Sequence, residues 1–275
     1  MTSRQNEIRF QEALRQGRSL YGTLVTSTSP RSIEALAGLG LDCVMIDTEH
    51  IPLAWDQLGW MCRAYRGIGI VPIVRIPKAD PFDACRVLDV GAGGVVAAYL
   101  ETAGEVALLR GATKLRPLKG RKLEQLLSAG ARPEGELGEY VRARNAGNIL
   151  LVNIESVAAL EALDEILAVP DLDGVLIGPH DLSCSLGVPE QYDHPLFENA
   201  MQEIISKARS KNVGAGVHNL PRLDQEIRWK KVGLNLILHL SDVTFLRTGL
   251  SQNLRALREA TGETTGGEVA KAIIV

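Results

Sequence analysis

The chain has 275 residues, of which 45% are hydrophobic and only 4% aromatic, so its core must be built from Leu, Val, Ile and Ala. Its length suits one large domain or two small ones. The formal net charge is −3 and no basic block occurs, which argues against nucleic acid or an anionic membrane as the main partner.

Eight short apolar runs are predicted to be β-strands. Each is apolar on nearly all consecutive residues, which is typical of strands that are buried on both faces of a parallel sheet. In chain order these runs cover residues 20–25, 43–46, 71–75, 95–98, 149–154, 175–177, 214–218 and 236–239.

The segments between these runs carry helix signals. Ser29 is a candidate cap, Pro30 a first helical residue and Gly40 a stop. Apolar residues at spacings of three and four follow Glu155 and predict another helix. Residues 120–147 are charged and too long for a simple loop, so we expect one or two surface helices there.

This alternation predicts an α/β protein with a single (β/α)8 TIM barrel. No linker rich in Pro, Gly or Ser divides the chain, so we assign residues 1–262 to the barrel and residues 263–275 to a C-terminal tail. The tail ends in the apolar run AKAIIV, which we expect to dock on other residues when it is ordered.

The cysteines indicate a reducing compartment, because they are scattered and form no CxxC pair that would predict a zinc site or a disulfide framework. The amino terminus lacks an apolar signal core, and no apolar run approaches the length of a transmembrane helix. We therefore expect a cytoplasmic protein. The cysteines are Cys43, Cys62, Cys85 and Cys184.

Polar residues collect where the predicted strands end, which is where a barrel of this type places its chemistry. A single carboxylate after a strand often does no more than cap the next helix. The polar residues at this rim are Asp47, Glu49, His50, Arg75, Glu155, His180, Asp181, His218, Asn219, Ser241 and Asp242.

Three of these residues are poorly explained as caps. Arg75 ends a buried strand and needs an anionic partner, either a protein carboxylate or a substrate. Glu155 and Asp181 end adjacent strands at one rim, so they repel each other unless a positive charge lies between them. A divalent metal ion would supply that charge.

Four other residues have simpler explanations or none yet. Asp242 is interpreted as a helix cap, and His239 as a histidine satisfied inside the barrel. His194 precedes a proline and is interpreted as part of a surface turn. The role of His218 is left open.

Five stretches carry a resemblance to a known family: DCVMIDTEH, VPIVRIP, LDVGAGGVV, VNIES and DGVLIGPHDLS. Their order and spacing match as well, with 25 positions from His50 to Arg75 and 26 from Glu155 to Asp181. Over about residues 22–248 the sequence resembles the HpcH/HpaI aldolase family, the metal-dependent class II pyruvate aldolases of the phosphoenolpyruvate/pyruvate barrel superfamily.

The resemblance implies a metal and substrate site. Glu155 and Asp181 would hold Mg²⁺ or Mn²⁺, with Co²⁺ as an alternative. Pyruvate would chelate this ion through its keto and carboxylate oxygens. The backbone of Gly178, Pro179, His180 and Asp181 would lie near the pyruvate carboxylate.

The resemblance also implies catalytic roles. Arg75 would point at the keto oxygen, where the negative charge of an enolate develops when the neighbouring C–C bond breaks. His50, oriented by Asp47, would be the acid/base group, because histidine transfers protons well near neutral pH. Glu49 is expected to bond nearby backbone groups or solvent ligands.

Several positions depart from the family pattern. Ala98 stands where a proline is frequent, Asn153 where glutamine is common, and His180 at a variable position. The usual Tyr-Pro-Pro-Gly-type loop is represented only by RPLKGRKL, residues 116–123. These changes leave the metal site and the His50 site intact, but they leave the aldehyde side of the substrate undefined.

The resemblance implies a homo-oligomer, a hexamer built as a trimer of dimers, in which neighbours exchange the last barrel helix. The matching segment is VTFLRTGLSQNLRALREATG. Its leucines at 246, 250, 254 and 257 form a stripe, which the sequence alone slightly favours packing on its own barrel. The resemblance implies instead that the stripe covers a neighbouring barrel.

The predicted reaction is reversible cleavage of a 4-hydroxy-2-oxoacid to pyruvate and an aldehyde, both small-molecule partners. One alternative is an acyl-CoA lyase of the citrate/malyl-CoA lyase type, for which the basic segment KLRPLKGRK would have to lie near the rim. Another is a non-catalytic barrel, since a fold does not fix a function. A Schiff-base aldolase is disfavoured because no predicted strand contains a lysine.

Overall fold

The computed structural model describes residues 3–263. Its strands form a closed parallel barrel in which each strand pairs with the next one and the last pairs with the first. The strands are β1 (Leu20–Val25), β2 (Cys43–Asp47), β3 (Val71–Ile76), β4 (Gly94–Ala97), β5 (Ile149–Ile154), β6 (Gly174–Ile177), β7 (Gly214–His218) and β8 (Leu236–Ser241).

Helices surround the barrel and close its amino end. Within the described range they are α1 (Ser3–Gln16), α2 (Pro30–Leu36), α3 (Trp55–Gly67), α4 (Pro81–Val90), α5 (Ala103–Lys114), α6 (Gly120–Ser128), α7 (Gly135–Asn145), α8 (Val157–Glu161), α9 (Leu163–Ile166), α10 (Pro179–Ser185), α11 (Pro195–Ser210), α12 (Leu223–Val232) and α13 (Asp242–Thr261).

The predicted fold is confirmed. All eight strands occur within one or two residues of their predicted ends, and α6 and α7 are the two helices expected between β4 and β5. Helix α1 was not predicted, because its sequence is largely polar. It carries three buried apolar residues, Phe10, Ala13 and Leu14, which pack into the barrel interior.

The barrel interior is filled by alternate residues of each strand, which form one cluster with the apolar face of α1. Contact with α1 is close: a Cβ atom on Gly214 would lie 2.7 Å from Leu14 Cδ2, so a larger residue there would require Leu14 to shift. The second, larger cluster lies between the outer face of the sheet and the surrounding helices.

The same alternation carries polar residues into the carboxyl end of the barrel. Cys43 and Met45 of β2 face inward, so Asp47 does too, and its register partner on β3 is Arg75. On β7, Gly214 faces Leu14 inside the barrel. Alternate residues of a strand share a face, so His218, four residues later, faces inward as well. Strand periodicity thus positions the site described below.

At the amino end, Asp173 precedes β6 and anchors several elements. Its side chain is fully buried and accepts hydrogen bonds from Gln11 at 2.9 Å, from Arg15 at 2.7 Å and from the Leu150 amide at 2.8 Å. Lys114 Nζ also donates to it. These bonds tie α1, α5, β5 and β6 together.

Helix α13 differs from the other long helices because none of its residues is buried. The leucines of its stripe are 40–72% exposed, so the predicted exchange between neighbours stays a prediction. The predicted C-terminal tail lies outside the described residues apart from residue 263. Among residues 3–263, no helix is both long and apolar enough to cross a membrane.

Candidate active site

A buried ion pair lies at the carboxyl ends of β2 and β3. Arg75 Nε donates to Asp47 Oδ1 at 2.9 Å, and Arg75 Nη2 donates to Asp47 Oδ2 at 2.8 Å. Burial alone would raise the pKa of Asp47, but the hydrogen bonds and charge of Arg75 lower that pKa below its usual value. Arg75 is therefore a cation fixed in one orientation.

Glu49 is a second carboxylate beside Arg75. Its Oε2 lies 3.1 Å from Arg75 Nε, yet this buried oxygen has no hydrogen-bond partner in the described structure. Burial raises the pKa of Glu49 to about 7; Arg75 opposes the rise, whereas Glu155, Asp47 and Asp181 add to it. The contact of Glu49 with Arg75 was not predicted from the sequence, which indicated backbone groups or solvent ligands as its partners.

His50 lies at the mouth of the barrel, with its side chain 37% exposed and Nε2 3.7 Å from Glu49 Oε2. The charge of His50 also helps to lower the pKa of Asp47, and the expectation that Asp47 orients His50 stays a prediction. Asp47 uses both oxygens on Arg75 and accepts the Glu49 amide at 3.0 Å. A buried arginine with a fork of donors competes better for a buried carboxylate than a half-exposed imidazole does.

Glu155 follows β5 and is 91% buried, with 9% of its surface exposed. Its Oε1 accepts the Tyr99 amide at 2.8 Å, and its Oε2 accepts Asn153 Nδ2 at 2.8 Å. Burial raises the pKa of Glu155, those two donors oppose the rise, and the charge of Asp181 adds to it. Glu155 and Asp181 are therefore close enough for like charges to repel.

Asp181 lies in the first turn of α10 and is exposed. Together with Glu155 it lines a cavity of about 590 Å³ that opens between the segments after β4, β5 and β6. The other lining residues are Tyr99, Leu100, Glu101, Thr102, Glu105 and Ser156. The two predicted metal ligands thus face one open space.

The segment from Gly178 to Asp181 runs beside Glu155. A Cβ atom on Gly178 would lie 2.8 Å from Glu155 Oε2 and 3.5 Å from His218 Nε2, so glycine keeps this space free. Pro179 is buried as the first residue of α10. The His180 ring is exposed and lies 3.8 Å from Glu190 Oε1, so only its backbone remains a candidate for substrate contact.

Two buried side chains at this rim were not assigned a role from the sequence. His218 is 7% exposed and its Nε2 has no partner, and Asn153 Oδ1 is likewise unpartnered. Burial lowers the pKa of His218 to about 3, with the charge of Arg75 acting in the same direction, so the ring is neutral. The alternation of inward-facing residues along β5 and β7 would have revealed both.

The charges at this rim fit a divalent cation. Four carboxylates surround a single arginine here, and burial raises the pKa values of Glu49 and Glu155, with the facing negative charges adding to the rise. No group of three or more His, Cys, Asp or Glu side chains among residues 3–263 is arranged to hold a metal. An ion would therefore be held by Glu155 and Asp181, with water or substrate as its further ligands.

Four residues singled out from the sequence lie outside the site. His239 is satisfied, with Nδ1 2.7 Å from Glu226 Oε2, but it faces α12 rather than the barrel interior, so that placement was wrong. His194 caps α11, as a turn residue would. Ser241 is the cap of α13, whereas Asp242 binds Thr26 and Ser27, which corrects the assignment of Asp242 as a cap.

The basic segment KLRPLKGRK lies at the opposite end of the barrel from the site. Lys114, its first residue, ends α5 and donates to Asp173 and to the carbonyl oxygen of Asn148, both of which precede strands. Arg116 pairs with Asp89 near the end of α4. Lys114 and Arg116 therefore lie away from a substrate bound at the carboxyl ends of the strands.

Comparisons with known proteins agree with this geometry. A 2-keto-3-deoxy-L-rhamnonate aldolase of Salmonella gallinarum is 34% identical over 207 residues, 75% of this chain and 77% of that protein. A crystal structure of a HpcH/HpaI aldolase/citrate lyase family protein from Burkholderia cenocepacia J2315 has a TM-score of 0.77 and 26% identity, over 91% of this chain and 99% of that one.

A crystal structure of the citrate synthase SbnG is similar too, with a TM-score of 0.76 and 28% identity over 92% of this chain and 98% of that one. Relatives at this distance therefore carry out more than one reaction. The profile of the HpcH/HpaI aldolase/citrate lyase family matches residues 20–228. The chain belongs to this family, which confirms the predicted enzyme class, a carbon–carbon lyase of the aldolase type.

Proposed function

We propose that this chain is a divalent-metal-dependent aldolase that cleaves a 4-hydroxy-2-oxoacid reversibly to pyruvate and an aldehyde. The observation that carries the proposal is the pair Glu155 and Asp181 on one cavity, at the same barrel mouth as the fixed cation Arg75. The similarity to curated aldolases supports the reaction type.

Glu155 and Asp181 would hold Mg²⁺, Mn²⁺ or Co²⁺. When bound, the ion supplies a Lewis acid that polarises the keto group of the substrate. Asn153 and the Tyr99 amide hold Glu155 by two hydrogen bonds of 2.8 Å, which fixes the direction of its carboxylate. The backbone from Gly178 to Asp181 is proposed to lie near the carboxylate of the oxoacid.

Arg75 would stabilise the negative charge that grows on the keto oxygen when the C3–C4 bond breaks. Its two bonds to Asp47 fix the guanidinium before the substrate arrives, so the protein does not reorganise during the reaction. We propose that Asp47 positions Arg75 in addition to orienting His50, the role expected from the sequence.

His50 is proposed as the proton-transfer group. Its ring reaches solvent at this mouth and lies beside Glu49, whereas His218 is buried and neutral. In the cleavage direction His50 would accept the proton of the C4 hydroxyl group, and the electron pair of the broken bond would remain on pyruvate as its enolate. Glu49, 3.7 Å from the ring, would support this histidine together with Asp47.

Metal removal tests the proposal. Protein treated with EDTA should not release pyruvate from 4-hydroxy-2-oxopentanoate, and adding back Mg²⁺, Mn²⁺ or Co²⁺ should restore the release and rank the three ions. Exchange of the pyruvate methyl protons for deuterium in D₂O should show the same dependence on divalent metal. This exchange involves pyruvate alone, so it tests the metal site without an aldehyde. Equal rates with and without metal would rule the proposal out.

The alternative of an acyl-CoA lyase has less support, because the basic segment that would bind the nucleotide lies at the other end of the barrel. The non-catalytic alternative is disfavoured by the presence of His50, Arg75, Glu155 and Asp181 at one rim.

The assembly is proposed to be a homo-oligomer, a hexamer made of three dimers, that exchanges α13 between neighbours. Leu246, Leu250 and Leu257 on α13 are more than half exposed, which is unfavourable in water unless another surface covers them. Light scattering should give a multiple of the 29.8 kDa chain mass. Leu250→Glu should lower it, and a monomeric parent protein would refute the exchange.

We also propose that the protein acts on small-molecule substrates, has no nucleic-acid or membrane partner, and is cytoplasmic. The four cysteines are all free in the structure, which suits a reducing compartment.

A further inference from the structure

A second cavity, of about 260 Å³, lies at the amino end of the barrel, where α1, α5 and α7 meet the segment before β6. Of the described residues, Asp171 is the only acidic one that lines it. The basic lining residues are Arg15, Lys114, Arg132 and Arg142. Since the whole chain has a net charge of −3, this local excess of positive charge is not a general property of its surface.

Two carboxylates pair with cations of this region, and each of them is shared. Asp171 accepts hydrogen bonds from Arg110 Nε at 2.9 Å and from Arg132 Nε at 3.1 Å. Asp173, the buried anchor described above, is likewise shared by the cations of α1 and α5. Each carboxylate therefore neutralises only one of its two partners.

Arg142 adds a further cation to this cluster. It lies in the last turn of α7 and is exposed, and its side chain has no hydrogen bond or ion pair with any residue in the described range. Five cations thus cluster around two carboxylates, which leaves a surplus of three positive charges at this end of the barrel.

The cations of this cluster repel one another. Burial lowers the pKa of Arg132. The charges of three further arginines act in the same direction: Arg110, Arg15 and Arg142. Burial also lowers the pKa of Lys114, and the charges of Arg15 and Arg132 add to the fall, although its carboxylate partner opposes it. An anion in the cavity would relieve this repulsion, as a cation would relieve the repulsion at the carboxyl end.

We infer that this cavity is a binding site for a phosphate group, carried by a small phosphate monoester or present as free phosphate. Arg15, Arg132 and Arg142 come from α1, from the segment between α6 and α7, and from α7, so they can approach one anion from separate directions. A phosphate monoester carries about −1.5 to −2 charge at pH 7 and three acceptor oxygens, which suits this surplus of charge. Arginine forks also match phosphate geometry.

Calorimetric titration of the full-length protein tests the inference, with inorganic phosphate and glycerol 3-phosphate as the probes. Each should bind at one saturable site per chain, whereas sodium chloride at the same ionic strength should give no saturable heat. Tighter binding of glycerol 3-phosphate would identify a monoester as the ligand, and tighter binding of inorganic phosphate would identify free phosphate. The absence of saturable binding for both probes would overturn the inference.

Arg142→Gln removes the cation that has no carboxylate partner, so the fold should be retained. It should weaken phosphate binding by about tenfold or more, because a charged hydrogen bond is lost. Arg144→Gln lies in the same last turn of α7 but lines a different cavity, so it is the matched control and should bind phosphate like the parent protein. Equal losses in the two variants would show a diffuse attraction and overturn the inference.

The phosphate affinity should be the same in EDTA and with saturating Mg²⁺ and pyruvate, because Glu155 and Asp181 lie at the opposite end of the barrel. Binding that needs Mg²⁺ and is displaced by pyruvate would place phosphate at the carboxyl end and overturn the inference. Succinate, a dicarboxylate, should bind more weakly, and binding as tight as that of phosphate would overturn the assignment of the ligand class. None of these measurements follows aldol cleavage, so the outcome is independent of the proposed function.

Discussion

The two ends of the barrel both bury charged groups, but they treat them differently. At the amino end, Asp173 is fully buried and receives hydrogen bonds from four groups, including Lys114 and Arg15. At the carboxyl end, Glu49 Oε2 and His218 Nε2 are buried and have no hydrogen-bond partner in the described structure.

The difference separates charges that hold the fold together from charges that await a ligand. A buried carboxylate with every acceptor site used has no capacity left for a substrate. The carboxyl-end cluster keeps unpaired atoms and an excess of negative charge, which lowers the stability of the ligand-free protein and favours binding of a cation. We therefore expect substitutions at the carboxyl end to lower activity without lowering stability. Substitutions at the amino end should lower stability and leave activity largely unchanged.

The largest effect on activity is expected for Glu155→Gln. It removes one of two proposed metal ligands, so pyruvate release should fall by about 10³-fold or more, because the Lewis acid contributes several kcal/mol. Stability of the metal-free protein should stay equal or rise, since a repelling buried charge disappears. Glu161→Gln on the exposed part of α8 is the control, and a comparable loss there would contradict the assignment.

His50→Ala should reduce the aldol reaction by about 10²–10⁴-fold, the usual contribution of a general acid/base. Metal affinity measured by calorimetry should remain that of the parent protein, because His50 is not proposed as a ligand. Turnover close to that of the parent would exclude His50 from proton transfer and shift attention to Glu49, the nearby carboxylate 3.7 Å from the ring.

Asp173→Asn, at the amino end, should lower stability and leave activity nearly unchanged. Loss of this charge leaves Lys114 buried without its anion, and we expect the free energy of unfolding to fall by about 3–5 kcal/mol in urea titrations. Turnover per folded molecule should change little. Asp164→Asn breaks an exposed pair with Lys207, and the free energy of unfolding should stay close to that of the parent protein.

Much of this arrangement could be predicted from the sequence because strand positions follow from apolar runs. The runs located the ends of the strands, and with them the rim that holds Asp47, Arg75 and Glu155. The family motifs added roles that local patterns alone do not define. Helix α1 was missed because only one face of it is apolar. That face packs into the open amino end of the barrel, so it can be recognised as part of the core only when the barrel itself is known.

The pairing within the site could not be predicted in the same way. Asp47, Glu49 and His50 are near neighbours in sequence, but strand geometry directs Asp47 inward to Arg75 and leaves His50 at the solvent-exposed mouth. Which of several nearby acids an arginine selects depends on side-chain direction, which the order of residues does not specify.

The smallest expected effect concerns pH. Glu49 has a folded-state pKa of about 7, against an ordinary value of 4.5, because burial disfavours its charge. The folded protein then holds this proton while the unfolded chain releases it, so stability falls as pH rises from about 4.5 to 7 and stays lower above that range. Glu49→Gln removes this contribution.

In EDTA, the melting temperature of Glu49→Gln relative to the parent protein should therefore increase between pH 5 and pH 8, and the difference should correspond to at most about 3 kcal/mol. Comparing the two proteins at each pH cancels the titration of all other groups to first order. A saturating divalent cation should narrow the difference, because a positive charge at the rim favours ionised Glu49. A difference that does not change with pH would show that Glu49 is ionised in the folded state, like Asp47, and that Arg75 neutralises both carboxylates.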